Sequence, residues 1–238
     1  MANIYEFSSD KIDIFAMNID KSGSMGDSAF DVIRGLEMYK ESFEGFPEVN
    51  SIAVSLSTFS DNFYPGEFKS VSEFSTDFYA DGGTALHYSI VKGGEHLQNY
   101  MKEVLEKTGV IPRATYIVFS DGEPCGDPGS PSKSKAMINK LNMAGITTVF
   151  VAFGPAMTSE FGQELGFQST IKVESRETLS NFLGQELSKS CKEQSKSLKA
   201  LGSNFFSQAV GNENSQGYSH ASSQALEDDD FMDDIEDI

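Results

Sequence analysis

Four nearly continuous apolar runs constrain this chain more than any other feature: Ile12 to Ile19, Ile52 to Phe59, Ala114 to Phe119 and Thr147 to Phe153. A strand that is apolar at almost every position is buried on both faces, as in a parallel sheet covered by helices on either side. Helix-like segments lie between the runs. Ser28 to Phe43 brings Phe30, Ile33, Leu36, Met38 and Tyr39 near one face, Thr84 to Leu105 is similar, and Ser132 to Met143 carries Met137, Ile138 and Leu141 as its stripe. The alternation predicts an α/β fold: a doubly wound, mostly parallel central sheet flanked by helices, Rossmann-like in its layering. The aromatic-rich stretch from Phe63 to Tyr79, with Pro65-Gly66, predicts a turn and a short antiparallel edge strand. Leu165-Gly166-Phe167 reads as a helix end, Ile171 to Val173 as an edge strand, and Ser175 to Leu187 as a final helix with Ser175 and Thr178 as candidate caps.

In such folds ligands bind beyond the carboxyl ends of the strands, at the point where the strand order reverses. Asp20-Lys21-Ser22-Gly23-Ser24 follows the first apolar run directly. Alternation along an extended segment turns Asp20, Ser22 and Ser24 to one side, one carboxylate and two hydroxyls, a hard oxygen set that suits Mg²⁺ far better than zinc or copper. Asp81-Gly82-Gly83-Thr84 adds a hydroxyl on a glycine-rich turn, and the third apolar run ends in Ser120-Asp121-Gly122. Neutral hydroxyls place a cation without quenching its charge, while Asp20 and Asp121 balance it. A coordination position stays open to solvent, where a partner's Glu or Asp carboxylate can displace water. Each piece also has a purely structural reading, with Asp20 and Ser22 as a cap and turn, Thr84 as the N-cap of its own helix, and Asp121-Gly122 as a strand-ending turn.

In that order and spacing, Asp20-x-Ser22-x-Ser24, then Thr84, then Asp121, the chain resembles the von Willebrand factor type A (integrin I-like) domain and its metal-ion-dependent adhesion site. The resemblance runs from about Ile12 to Leu187 and is nearest to intracellular bacterial and phage members of the tellurite-resistance type. It implies Mg²⁺ as the cofactor, with Mn²⁺ or Ca²⁺ as alternates, held by Asp20, Ser22, Ser24, Thr84 and Asp121. It also implies a protein partner that presents Glu or Asp to the metal, and no catalysis. In some intracellular relatives the partners are AAA+ ATPases, kinases or phosphatases.

Composition narrows the partners. The 238 residues carry 36 acidic and 18 basic side chains, a formal charge of −18, which argues against nucleic acid or an anionic membrane surface. No stretch approaches the roughly 20 apolar residues of a membrane span, and the first residues lack the pattern of a secretory leader, so a cytoplasmic location is expected. Cys125 and Cys191 make no metal spacing or disulfide framework and are expected as free thiols. His87 and His96 share no metal spacing and are expected to pack.

Three regions follow: residues 1–190 as the type A domain, 191–225 as a helix extension and polar linker, and 226–238 as an acidic-hydrophobic tail. The composition of 203–224 is that of a linker or disordered segment. The tail combines eight acids with Phe231, Met232, Ile235 and Ile238 at spacings that suit one apolar helix face. It is expected to bind a basic groove or to occupy the protein's own metal site. Two other functions compete. A metal-dependent hydrolase or phosphatase finds little support, because Asp20-Lys21-Ser22 lacks the second Asp of an Asp-x-Asp nucleophile motif and neither a Gly-x-Ser-x-Gly elbow nor a Gly-Lys-Ser/Thr phosphate loop is present. A structural component with a vestigial metal site differs from the binding module mainly in not needing the metal.

Overall fold

The computed structural model describes residues 11–197 and 218–222. Its strands are β1 (Asp13–Asp20), β2 (Ile52–Phe59), β3 (Phe63–Tyr64), β4 (Lys69–Ser70), β5 (Arg113–Ser120), β6 (Thr147–Phe153), β7 (Ser169–Val173) and β8 (Tyr218–Ser222). They form a single sheet of order β3-β2-β1-β5-β6-β7-β8, with β4 also paired to β2. β2, β1, β5, β6 and β7 are parallel. β3 and β4 supply the antiparallel edge expected from the aromatic stretch. A further antiparallel strand, β8, pairs Tyr218 to Ser222 with Val173 to Ser169. It covers β7, expected at the edge, and falls within the stretch read as polar linker. The acidic tail lies outside the described residues.

Side-chain alternation along β1 divides the core. Phe15, Met17 and Ile19 enter one cluster with Val32, Leu36 and Tyr39 of helix α1 (Ala29–Ser42) and with Leu179, Phe182 and Leu187 near the end of the described domain. Ile14 and Ala16 enter the other, with Ile90 and Leu97 of α2 (Leu86–Thr108) and Ile138 and Leu141 of α3 (Pro131–Met143). A short α4 (Ser159–Glu164) joins the second layer over β6 and β7. Both faces are therefore covered, which is why the strands could be apolar throughout. Phe30, expected on the buried stripe of α1, is 73% exposed. At 3.6 residues per turn the stripe runs through Val32, Leu36 and Tyr39, and Phe30 lies off it.

The last helix runs on into the stretch read as a helix extension. α5 (Arg176–Asn181) passes through a π-helical stretch, Phe182–Leu187, into α6 (Ser188–Lys196). The end of α6 is fastened to the sheet from below. Arg113 grips Asp13 through Nε and Nη2 at 2.8 and 2.9 Å and donates to the carbonyls of Gln194 and Ser197 at 2.7 and 2.8 Å. Lys11 donates to the carbonyl of Ser195. These carbonyls are among those a helix C-terminus leaves without intrahelical partners, so the cations also meet the negative end of the helix dipole. Cys191 and Cys125 are both free thiols, and Cys191 is buried, its pKa pushed up to about 12 by desolvation.

His87 and His96 pack, as expected. His96 Nε2 contacts the Gly66 carbonyl at 2.8 Å and its ring stacks on Phe68. His87 is buried with Nδ1 3.2 Å from Ser134 Oγ and its ring stacked on Phe161. Burial holds its pKa below the usual imidazole range, with Asp127 pulling the other way. Because the folded-state pKa is the lower one, the unfolded chain takes up the proton first on acidification. His87 therefore contributes fully above its ordinary pKa of about 6.5 and less as pH falls through that value. Urea midpoints compared between pH 7.5 and 5.5 should fall more for the native chain than for His87→Gln. Parallel slopes would contradict this.

Candidate metal centre

The strand order reverses between β1 and β5, since β2 lies to one side of this pair and β6 to the other. Asp20 ends β1, and Asp121 follows the last residue of β5. The two carboxylates required by the sequence motif thus arise from adjacent strands at the switch point, where the diverging connections leave room for a ligand.

Asp20 is fully buried. Its Oδ1 accepts the Ser22 backbone N–H at 2.8 Å, and its Oδ2 accepts the Ser120 hydroxyl at 2.6 Å. The Ser22 and Ser24 hydroxyl oxygens are 3.0 Å apart, and the Ser24 hydroxyl donates to Asp121 Oδ1 at 2.8 Å. Ser22 is buried, while Ser24 faces solvent and Asp121 is half-buried. Ser22, Ser24 and Asp121 therefore form a chain of oxygen contacts, and Asp20 joins it through the Ser22 backbone N–H, so four of the five motif residues are connected from the sheet outward. Desolvation raises the Asp20 pKa to about 6 against the hydrogen bonds from Ser120 and Ser22, and burial raises that of Asp121 as well.

The loop carrying Thr84 is tied to both others. Gly23 N–H donates to the Gly82 carbonyl at 3.0 Å and Asp81 N–H to the Lys21 carbonyl at 2.7 Å. Thr84 and Cys125 exchange backbone hydrogen bonds at 3.0 and 3.1 Å, so the third hydroxyl is held beside the segment that follows Asp121. Two glycines permit the approach. Gly82 has φ +80°, and a Cβ there would lie 2.5 Å from Asp61 Oδ2; a Cβ on Gly83 would lie 2.9 Å from the Cys125 carbonyl oxygen.

The structural reading of these residues holds only in part. Asp20 does close a local turn onto Ser22 N–H. Thr84 is not the cap of its helix, because α2 is capped from another loop: Asp127 accepts the backbone N–H groups of His87 and Tyr88. The Asp127-Pro128-Gly129 loop thus serves helix α2, and a Cβ on Gly129 would collide with Tyr88 N at 2.3 Å. Lys21 turns away from the ligand set, with Nζ 3.9 Å from the centroid of the Tyr64 ring. Cys125 is exposed beside the Thr84 loop.

Two contributors escaped the sequence reading. Ser120 orients Asp20, and Asp61 accepts the Gly83 N–H at 2.8 Å and so steadies the Thr84 loop. Ser120 ends β5 and Asp61 lies just beyond β2, each an ordinary polar residue whose role only the tertiary fold reveals.

The donor set fits a hard divalent cation. It contains only oxygen, with two carboxylates and three hydroxyls, and its buried carboxylate has a pKa raised by lost hydration, a cost that a bound cation offsets. Among the described residues no cluster of three His, Cys, Asp or Glu side chains is present, so a softer or purely carboxylate site has no competing location there.

No family model and no curated protein matches the chain. Solved structures do. The open conformation of the pilus adhesin SpaC from Lactobacillus rhamnosus GG matches with TM-score 0.62 and 15% identity, over 79% of this chain and 30% of that one. Proximal thread matrix protein 1 from the mussel byssus, with a zinc-occupied MIDAS motif, matches with TM-score 0.53 and 16% identity, over 76% of this chain and 46% of that one. The manganese-loaded TRAP protein of Plasmodium vivax matches with TM-score 0.51 and 14% identity, over 73% of this chain and 72% of that one. The chain spans under a third of the adhesin and under half of the byssus protein. With the sheet order and the switch-point loops, these likenesses define the class: the chain has the von Willebrand factor type A fold. Two of the three similar structures hold a divalent metal, zinc in one and manganese in the other. Among the described residues no helix is long and apolar enough to cross a membrane.

Proposed function

We propose that this protein is a metal-dependent interaction module that recognises an acidic side chain on a protein partner, and that it is not an enzyme. The contact chain from buried Asp20 through Ser22 and Ser24 to half-buried Asp121 carries the reading. Asp20, Ser22, Ser24, Thr84 and Asp121 would hold the ion, with Mg²⁺ the natural occupant of an all-oxygen set rich in neutral hydroxyls. A bound divalent cation supplies an electrophilic centre that attracts a carboxylate. This chain's residues do the rest. The buried pair Asp20 and Ser120 anchors the set in the sheet, and the glycine-rich turn brings the Thr84 backbone against the segment that follows Asp121. Ser24 and Asp121 stay accessible at the surface where a partner would arrive.

Ranked against a hydrolase, the module is favoured by what surrounds the hydroxyls. Ser22 and Ser24 contact each other, Ser24 also meets the Asp121 carboxylate, and the imidazoles of His87 and His96 are engaged elsewhere in packing, so neither is placed as a base for these hydroxyls. Two free thiols, one of them exposed, suit a reducing compartment and support a cytoplasmic location within this proposal. The intracellular, tellurite-resistance-type affiliation belongs to the same proposal.

An affinity capture from the native host tests the reading, run with Mg²⁺, with EDTA, and with Asp121→Ala as bait. A partner retained by the native chain with Mg²⁺ and lost in both other arms is the expected result. Equal retention in all three would mean that the site is vestigial.

A further inference from the structure

Away from the metal centre, α1 and the π-α6 segment frame a shallow groove of about 540 Å³. Met38 and Glu41 line it from α1, and Lys189, Lys192, Glu193 and Lys196 from the opposite side. The three lysines follow helical spacing and make one basic stripe. Lys192 Nζ lies 5.0 Å from the Phe43 ring centroid and Lys196 Nζ 5.6 Å from that of Phe46, so both stems cover buried aromatic surface. Among the described residues none of the three lysines forms an ion pair. The Lys192 ammonium is instead crowded, its pKa lowered by burial and then by Lys196. Positive charge thus gathers here beside Met38 and over buried Phe43 and Phe46.

We propose that residues 226–238 of the same chain dock into this groove. The match is chemical. The segment carries Glu227, Asp228, Asp229, Asp230, Asp233, Asp234, Glu236 and Asp237 without a basic residue, and intersperses Phe231, Met232 and Ile235 among them. Carboxylates answer the lysine stripe while the apolar side chains meet Met38 and the lysine stems. Reach allows it. β8 ends at Ser222 opposite Ser169, at the same end of the sheet where Arg113 holds the last carbonyls of α6. From β8 to β5 is three strand spacings, about 15 Å, and residues 223–225 bridge about 10 Å when extended, so the first acids come within range of Lys196. The groove thereby selects the basic-surface option over the protein's own metal site. Docking would brace α6 against α1 and weaken with salt, because the lysines are only partly buried. It does not depend on the metal site.

The test uses the full chain in EDTA, so that its outcome is separate from that of metal-dependent binding. Acetylation of individual lysines by an activated acetate ester, followed by mass spectrometry, is compared with a variant carrying Asp228→Asn, Asp229→Asn, Asp230→Asn, Asp233→Asn and Asp234→Asn. Lys192 and Lys196 should react several-fold more slowly in the native chain, with the exposed Lys102 equal in both. Carbodiimide coupling should join residues 226–238 to Lys189, Lys192 or Lys196 within monomers. Equal acetylation rates at Lys192 and Lys196 would overturn the proposal, as would cross-links confined to dimers or to other lysines.

Discussion

Without divalent cation, Asp20→Asn is expected to make the protein more stable, by about 1–3 kcal/mol near neutral pH. The native carboxylate is buried and carries a charge whose lost hydration its two hydrogen bonds do not recover, as its raised pKa shows. Asparagine has the same shape. Its carbonyl can accept the Ser22 N–H, and the Ser120 hydroxyl, which also lies 3.2 Å from the Gly122 carbonyl, can turn its proton there and accept from the new amide. The fold would lose a buried charge and keep its contacts. Millimolar Mg²⁺ should then reverse the ranking, stabilising the native chain by RT ln(1 + [L]/Kd) and leaving the variant unmoved. Thermal midpoints with and without Mg²⁺ measure both halves. A destabilised variant that Mg²⁺ does not distinguish from the native chain would make Asp20 a structural turn residue and nothing more.

Arg113→Ala should cost about 3–5 kcal/mol, a large share of the stability of a domain this size. Asp13 is fully buried and desolvation already raises its pKa against the pull of Arg113. Removing the guanidinium leaves that carboxylate with Lys11, 3.9 Å away, as its remaining cation, and takes a donor from two carbonyls at the end of α6. A paired replacement, Asp13→Leu with Arg113→Met, should recover much of the loss, because neither buried charge is then left alone. Urea denaturation of the two variants decides it. A loss below about 1 kcal/mol for Arg113→Ala would place this pair with ordinary surface ion pairs.

The metal motif was legible because its spacing is local and its chemistry is unusual. Asp20, Ser22 and Ser24 sit within one turn of chain, and the glycines before Thr84 have few uses other than a close approach. The role of Ser120 was not legible. A serine at the end of a strand is commonplace, and its value comes from lying at the end of β5 beside Asp20 of β1, a hundred residues earlier. The role of Asp127 is hidden for the same reason: its carboxylate caps a helix that begins some forty residues earlier. On α1, the sequence groups Phe30 with the apolar face, but its angular position sends it to solvent. β8 gave little signal, because Tyr218–Ser222 is short and polar, and its pairing depends on the free edge of β7.

Continuous apolar runs alternating with amphipathic segments determined the layered α/β architecture, since period and burial are properties of neighbouring residues. The same local chemistry determined that oxygen ligands would gather at strand ends. Tertiary structure decided which strand ends are adjacent, and so which two carboxylates meet, because strand order is set by how helices pack on the sheet. It likewise decided that Asp13 and Arg113 form a buried lock and that Lys189, Lys192 and Lys196 overlook an apolar groove, contacts whose energy depends on burial that no local window of sequence contains.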